Sequence, residues 1–251
     1  MSAPQLEQVR ELDLPWHRGP LASYDCETSG TDTAHDRIVT AALIRPDGQV
    51  LEWLSDLDGA EIPKGAYDVH KVSTEHAREH GRPAAKVVEE IADAIAGEMS
   101  AGRAALVVMN APFDLSLLDA ECGRYGVRTV ADRIGRVDPV VDPLVLDRRF
   151  DRYRRGRRNL ETLAAHYGVR LDAAHTATAD AQAALDVARR IGERYKAAQL
   201  PAHQLHLRQA QWHRAWAATF QAHLRRKGHS DAAIDGSWPL LPAARQAGES
   251  R

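Results

Sequence analysis

The chain has 251 residues, 44% of them hydrophobic, and a formal net charge of −2, so it is long and apolar enough to bury a full core. Its two cysteines, Cys26 and Cys122, give no disulfide framework, which suits a reducing compartment. No run of about 18 apolar residues occurs, and the start of the chain carries charges unlike those of a signal sequence. These features predict a cytoplasmic protein with no membrane partner.

The first predicted strand ends in two acids. Asp25 and Glu27 follow the apolar run 21–24, and because side chains alternate along a strand, both carboxylates would project from one face while Cys26 points to the other. Neighbouring acids repel each other unless a cation, a shared proton or a base neutralises them, and oxygen ligands suit magnesium or manganese. Such a pair is also common in solvated turns, so a metal site requires further acids elsewhere in the chain.

The next elements are a hairpin and a helix. Residues 38–44 and 49–54 flank a turn with Pro46, Asp47 and Gly48, which predicts two antiparallel strands. A helix is predicted after the proline at position 83, because apolar side chains then recur on one face. The members of that face are Val87, Val88, Ile91 and Ile95.

A third acid lies where an apolar strand gives way to a helix. The run 104–109 predicts a short buried strand, and Pro112 fits the first turn of a following helix. Asp114 would lie in that turn, where the helix dipole alone favours an acid by ~0.3–1 kcal/mol. Asp114 shares its side of the helix with Leu117 and Leu118, however, which favours a carboxylate that points inward.

A fourth acid lies on the apolar face of a later helix. Asp180 is followed on that face by Ala184, Val187 and Ile191. Since burial of an ionised carboxylate without compensation is costly, a metal or another cation is the simplest explanation. His175, just upstream, has an unperturbed pKa of ~6.5 and can take a proton from water near neutral pH. The alternative for His175 is a surface residue with no role.

These segments resemble the three exonuclease motifs of the DEDDh superfamily, in the order and separation that this superfamily uses. Residues 67–73 are similar to the family's Val-His-Gly-Ile segment, and residues 159–164 to the helix before its third motif. The likeness covers about residues 21–195 and is greatest to the DnaQ-like group, which contains the proofreading epsilon subunit of bacterial replicative polymerases. Met109 replaces a common histidine and Lys71 the usual glycine, and both departures concern the rim of the site.

The resemblance implies a fold and a chemistry. The fold would be α/β, an RNase H-like mixed five-stranded sheet flanked by helices, with a C-terminal helical extension. Hydrolysis would occur at the terminal phosphodiester of a 3′ end, with His175 as the general base. Two divalent cations, Mg²⁺ or Mn²⁺, would lie about 3.5–4 Å apart. Their ligands, which also count as catalytic residues, would be Asp25, Glu27, Asp114 and Asp180.

Residues beside the acids are expected to contact the substrate. The small residues after the first motif would let the backbone approach the terminal sugar. The ring of Phe113 would offer a face to a base, and a place in the hydrophobic core is an equally good interpretation of this residue. The predicted substrate contacts are Thr28, Ser29, Gly30, His70, Asn110 and Phe113.

Positive charge is concentrated before the third motif. Seven arginines lie within residues 148–158, balanced there only by Asp151, which favours a surface that tracks phosphates over a solvated loop. The residues assigned to this nucleic-acid path are Arg154, Arg155, Arg157 and Arg158. Asp142 precedes a proline, which predicts a helix N-cap instead of a fifth metal ligand.

The pattern divides the chain into an N-terminal segment 1–20, an exonuclease domain 21–200 and an extension 201–251. A helix over 205–226 in the extension would carry one apolar stripe. The stripe consists of Trp212, Trp216, Phe220 and Leu224. Such a stripe usually packs on its own domain, and the alternative is docking to a polymerase or self-association.

Three functions remain open. The first is 3′–5′ exonuclease action on mainly single-stranded DNA, in proofreading or repair, with release of nucleoside 5′-monophosphates. The second is the same chemistry on RNA, of the RNase T or oligoribonuclease type, which differs by contacts to the 2′-OH. The third is a non-catalytic module that docks on a polymerase, which the complete set of acids and the histidine argue against. The expected partner is a nucleic acid with a free 3′ end, and DNA is favoured over RNA.

Overall fold

The computed structural model describes residues 14–100, 103–171 and 174–242. Their strands form one five-stranded sheet in the order β3-β2-β1-β4-β5. The strands are β1 (Leu21–Thr28), β2 (Ile38–Ile44), β3 (Val50–Leu54), β4 (Ala105–Val107) and β5 (Val140–Val141). β1, β2 and β3 pair antiparallel, whereas β1, β4 and β5 run parallel. The predicted RNase H-like mixed sheet is confirmed.

Helices cover the sheet and extend past its edge. The first half of the chain contributes α1 (Lys64–His70), α2 (Thr74–His80), α3 (Ala84–Met99), α4 (Ala111–Tyr125) and α5 (Val130–Ile134). The second half contributes α6 (Pro143–Phe150), α7 (Leu160–Tyr167), α8 (Ala177–Arg194) and α9 (Ala202–Arg226). Because β1, β4 and β5 are parallel, their carboxyl ends meet at one edge of the sheet, where α4 and α6 begin.

The alternation of β1 separates two cores. Tyr24 and Cys26 face the core that α3 and α4 cover, whereas Leu21 lies in the core that contains much of α7 and α8. Asp25 and Glu27 therefore project from the α8 side of the sheet, as the alternation predicts. The predicted face of α3 is also confirmed, since its four apolar members are all buried.

β4 is shorter than predicted. The run 104–109 forms a strand only over Ala105–Val107, because the chain then turns sharply into α4. Asn110 makes this turn with a φ of 61°, in the left-handed region that few residues other than glycine adopt. The bend brings the first turn of α4 directly beneath the carboxyl end of β1.

The face of α9 that is buried differs from the predicted stripe. Phe220 is 37% exposed, and half of the residues that face the protein are polar. The buried members are Ala202, Leu205, His206, Gln209, His213 and Ala217. Trp212 of the predicted stripe does pack on both cores, whereas Phe220 does not, because α9 packs beside β5, whose open edge requires hydrogen-bonding side chains. The helix also begins at Ala202, three residues before the predicted start.

Residues before the predicted domain boundary contact the domain. Trp16 is 1% exposed, its indole donates to the carbonyl of Ala198 at 2.8 Å, and its amide donates to Leu200 at 2.9 Å. The rest of the predicted segment 1–20, residues 1–13, and the end of the extension, residues 243–251, lie outside the described residues. In the part of the chain that is described, no helix combines the length and the apolar character needed to cross a membrane.

Candidate active site

Three of the predicted acids converge at the end of β1. Asp25, Glu27 and Asp180 each offer a carboxylate oxygen, and these oxygens all lie within 4.8 Å of one another. β1 presents the first two from one face, and α8 brings the third across that face. The hydroxyl of Ser23 donates to the carbonyl of Ala181 at 2.8 Å, so the first turn of α8 is bonded directly to β1. The convergence is thus built into the packing of helix on strand.

Asp180 lies in the first turn of α8. Thr176 caps this helix by accepting the amide proton of Ala179 at 3.3 Å. The Oδ1 atom of Asp180 is buried and has no hydrogen-bond partner. An unpartnered buried acceptor of this kind is rare in proteins, and here it faces two other carboxylates. The arrangement has the chemistry of a cation site.

Asp114 lies beside this group without being one of the three converging acids. Its side chain is 4% exposed, and its Oδ1 accepts the backbone N–H of Cys26 at 3.3 Å. It is close enough to Asp25 that its charge raises the pKa of that residue. The expectation of an inward-pointing acid on α4 is confirmed by its burial, since Leu117 and Leu118 beside it are also buried.

The pKa values of all four acids are raised. Burial is the largest cause for Asp25, followed by the charges of Asp114, Asp180 and Glu27. Burial and the charge of Asp180 raise the pKa of Glu27 to about 7. Burial raises the pKa of Asp114 to about 7, and it also raises that of Asp180. Near neutral pH such a site retains protons unless a cation replaces them. An all-oxygen donor set of this charge fits a hard divalent cation.

His175 lies at the entrance of the site. It has a φ of 69°, and its side chain is about half exposed. Its Nε2 is 3.5 Å from Oε1 of Glu161, while a hydrogen bond from its backbone opposes the rise in the pKa of Asp180. The histidine is therefore bonded to the carboxylate group through its backbone, and its ring lies at the solvent side.

The residues after the first motif form a tightly bonded loop. The hydroxyl of Thr28 donates to the carbonyl of Gly30 at 2.6 Å, and the hydroxyl of Ser29 donates to Asp36 at 2.7 Å. A Cβ at Gly30 would lie 2.4 Å from Oδ2 of Asp36, so a larger residue there would displace the carboxylate that Ser29 bonds. The protons of the Thr28 and Ser29 hydroxyls are thus donated within the loop.

The other predicted substrate residues surround the same edge. His70 is 7% exposed, and its Nδ1 accepts the amide proton of Val72 at 3.1 Å. Lys71 has a φ of 62°, which explains why glycine is usual at this position. Asn110 is exposed at the start of α4. Phe113 is partly buried and packs against the core that α3 and α4 cover, so part of its ring is in the core and part is exposed.

The predicted arginine path divides into two pairs. Arg154 and Arg158 both donate to the carboxylate of Asp147, which is fully buried. Arg155 and Arg157 are exposed. The first pair therefore neutralises an internal acid, and only the second pair is free to contact phosphates.

Asp142 has a wider role than the predicted N-cap. It does cap α6, because its carboxylate accepts the amide proton of Leu144 at 2.9 Å. It also accepts the amide protons of Asn110 and Ala111, both at 3.1 Å, and so fixes the start of α4. Sequence reasoning missed this bond because the turn at Asn110 gives no local signal of its partner 32 residues away.

Comparison with known proteins agrees with this geometry. The sequence profile of the RNase T exonuclease family matches residues 23–188. The chain therefore belongs to this exonuclease family and, with its four acids and histidine, to the DEDDh, DnaQ-like 3′–5′ class.

Curated relatives include two PolC-type DNA polymerases III. That of Lacticaseibacillus paracasei is 26% identical over 165 residues, which is 64% of this chain and 10% of the polymerase. That of Streptococcus thermophilus is 28% identical over 163 residues, again 64% of this chain and 10% of the polymerase. The chain thus matches about a tenth of the length of these relatives.

Solved structures with the same fold include exonuclease I. The E. coli enzyme in complex with a dA16 oligonucleotide has a TM-score of 0.63 at 21% identity, covering 71% of this chain and 42% of that one. Exonuclease I of Methylocaldum szegediense has a TM-score of 0.60 at 23% identity, covering 71% of this chain and 41% of that one. The chain spans less than half the length of these enzymes, and the likeness shows the fold.

Proposed function

We propose that the chain is a metal-dependent 3′–5′ exonuclease that hydrolyses the terminal phosphodiesters of mainly single-stranded DNA, in proofreading or repair. The observation that carries this proposal is the approach of the Asp25, Glu27 and Asp180 oxygens to within 4.8 Å of one another. The family match supports the reaction class. The products would be nucleoside 5′-monophosphates.

The four acids would hold divalent cations, Mg²⁺ or Mn²⁺. The unpartnered Oδ1 of Asp180 and the raised pKa values of the acids support this assignment. Bound ions of this kind lower the pKa of a water molecule and stabilise the attacking and leaving oxygens of a phosphodiester. Asp114 is bonded to the backbone of Cys26, which would keep it next to Asp25.

His175 would take the proton from the attacking water. Its ring is half exposed at the mouth of the site, and histidine is the side chain that most often serves as a general base. The carboxylate of Glu161 beside Nε2 would favour the protonated ring that results. Proton transfer by such a residue is worth ~10²–10⁴-fold in rate.

DNA is favoured as the substrate. The relatives are DNA polymerases, and exonuclease I was solved with dA16 and dT13 oligonucleotides. A cleft of about 460 Å³ beside the acids, lined by Trp53, His70 and His175 among others, offers room for the terminal nucleotide. RNA is the second candidate, because the family is named after an RNase.

A single assay tests the proposal. Single-stranded DNA and RNA of one sequence, labelled at the 5′ end, would be incubated with the protein and magnesium, manganese or a chelator. We expect the DNA to shorten stepwise from its 3′ end with either metal and to remain intact with the chelator. If RNA is shortened as fast as DNA, the substrate class includes RNA as well as DNA. Absence of shortening on both strands, or shortening in the chelator, would contradict the proposal, and His175→Ala provides a slow control.

A further inference from the structure

Part of the chain beyond the family match reaches the helix that carries Asp114. The family profile ends at residue 188, whereas α9 begins at Ala202. Described residues of this later segment make hydrogen bonds to the sheet edge, to Asp142 and to α4. We call three of them, Gln209, Trp238 and Leu241, the C-terminal latch.

Gln209 occupies the outer edge of β5. Its Oε1 accepts the amide proton of Asp142 at 2.8 Å, and its Nε2 donates to the carbonyl of Val140 at 2.9 Å. His206, one turn earlier, accepts the amide proton of Val140 at 3.1 Å. These backbone groups are the ones that a sixth strand would use, so α9 replaces that strand and fixes the backbone of Asp142.

Trp238 fixes the side chain of the same residue. Its indole N–H donates to Oδ2 of Asp142 at 3.2 Å, and that oxygen also accepts the amide proton of Ala111 at 3.1 Å. The other oxygen accepts the amide proton of Asn110 at 3.1 Å. The carboxylate is 1% exposed, so no water competes for it. Asp142 is thereby bonded both to the latch and to the left-handed turn that starts α4, so the position of that turn depends on the latch.

Leu241 contacts α4 directly. Its amide donates at 2.8 Å to the hydroxyl of Ser116, which is buried on α4 two residues after Asp114. Trp238 and Leu240 pack on the core that α4 covers. The segment therefore holds α4 at its first turn through Asp142 and at its second turn through Ser116.

We propose that the C-terminal latch positions the second motif, with Trp238 as a positioning residue that acts through Asp142 on the turn before Asp114. The proposal rests on the proposed function only in assigning Asp114 to the reaction. A displacement of 1 Å in a catalytic group lowers the rate by ~10²-fold. Loss of one hydrogen bond to Asp142 should displace Asp114 by less than that, and a smaller loss of turnover follows.

Trp238→Phe tests the proposal, because it keeps an aromatic ring and removes only the N–H donor. Trp216→Phe is the matched control, since Trp216 stacks on Phe220 and under Arg148, and the indole that donates to Asp142 is that of Trp238. We expect Trp238→Phe to lower kcat on single-stranded DNA about 10-fold, with KM within about twofold. Hydrogen exchange of the Asn110 and Ala111 amides should accelerate about 10-fold. The control should match the wild-type chain in both measurements.

Equal kcat and equal exchange in the two variants would overturn the proposal. If Trp238→Phe does not fold, Ser116→Ala removes the second contact alone, and unchanged exchange in the first turn of α4 in that variant would also overturn it. Absence of metal-dependent hydrolysis in the wild-type chain would contradict the proposed function. The exchange measurement would then test the role of the latch without a measurement of activity.

Discussion

In two regions of this molecule, carboxylates removed from solvent have opposite surroundings. Asp147 on α6 is fully buried and accepts from Arg154, Arg158 and the hydroxyl of Tyr167. Its charge is matched by guanidinium groups that the next loop supplies. Since burial of a carboxylate without a partner is costly, this pairing compensates for the burial of Asp147 inside the fold.

The acids at the end of β1 receive no such partners. Asp25 and Glu27 face other carboxylates, and Oδ1 of Asp180 is unpartnered. Their pKa values are raised, in the direction that unpaired burial predicts. Within residues 14–100, 103–171 and 174–242, no arginine forms an ion pair with these acids. We attribute this difference to the proposed cation, which would supply the compensating positive charge.

The largest effect should follow from removing one acid of the site. Asp25→Asn keeps the shape of the side chain but removes a ligand, so we expect hydrolysis of a labelled DNA strand to fall below a few per cent of wild type at saturating metal. The metal-free protein should become slightly more stable in urea unfolding, because like charges are no longer forced together. Residual turnover above that level would contradict the role of Asp25.

Removing the paired acid, Asp147, should lower stability and leave turnover unchanged, which is the opposite of the effect expected for Asp25. Asp147→Ala leaves Arg154 and Arg158 without their partner, and the free energy of unfolding should fall by ~3–5 kcal/mol. Turnover at a temperature where the variant is still folded should stay near wild type. Asp68→Ala is the control, because Asp68 pairs with Lys64 in an exposed ion pair and should change stability by less than ~1 kcal/mol. A stability loss as small as that of the control would argue against a stabilising role for the pairing of Asp147 with the two arginines.

A third effect concerns pH. Folding raises the pKa of Glu27 from 4.5 to about 7, so its ionisation disfavours the fold. Stability of the metal-free protein should therefore fall as pH rises from about 4.5 to about 7 and then level off. Glu27→Gln should remove up to ~3 kcal/mol of this decline. Urea unfolding in a chelator across this range measures it, and parallel pH profiles for the two proteins would refute the assignment.

The smallest effect should come from the exposed arginines. Changing Arg155 and Arg157 to alanine should weaken binding of long single strands and reduce the slope of log affinity against log salt by ~1.4, which is ~0.7 per phosphate contact. Hydrolysis of a dinucleotide should not change, since it occupies only the site itself. An unchanged slope would identify the stretch as a solvated loop.

The sequence predicts the acid-bearing elements because their signals are local. Alternation along β1 and helical periodicity around Asp114 and Asp180 depend only on neighbouring residues, and the structure shows the resulting orientations. The cap at Asp142 is predicted for the same reason, since a proline follows it.

Other features depend on partners distant in the sequence. The buried face of α9 is set by the edge of β5, which draws Gln209 inward and leaves Phe220 exposed. The pairing of Arg154 with Asp147 depends on how the loop after α6 folds back. Hydrophobicity and charge density contain no information about these contacts, and the corresponding predictions failed or remain untested.

The central claim is that the four acids of the site bind a divalent cation, and calorimetry tests this claim most directly. Glu27 and Asp114 have pKa values of about 7, so the metal-free site holds protons at pH 7 that a cation must displace. Mn²⁺ would be titrated into the metal-free protein at pH 7 in two buffers with different heats of ionisation. The account predicts binding with a net release of protons. Absence of binding, or binding without proton release, would contradict it.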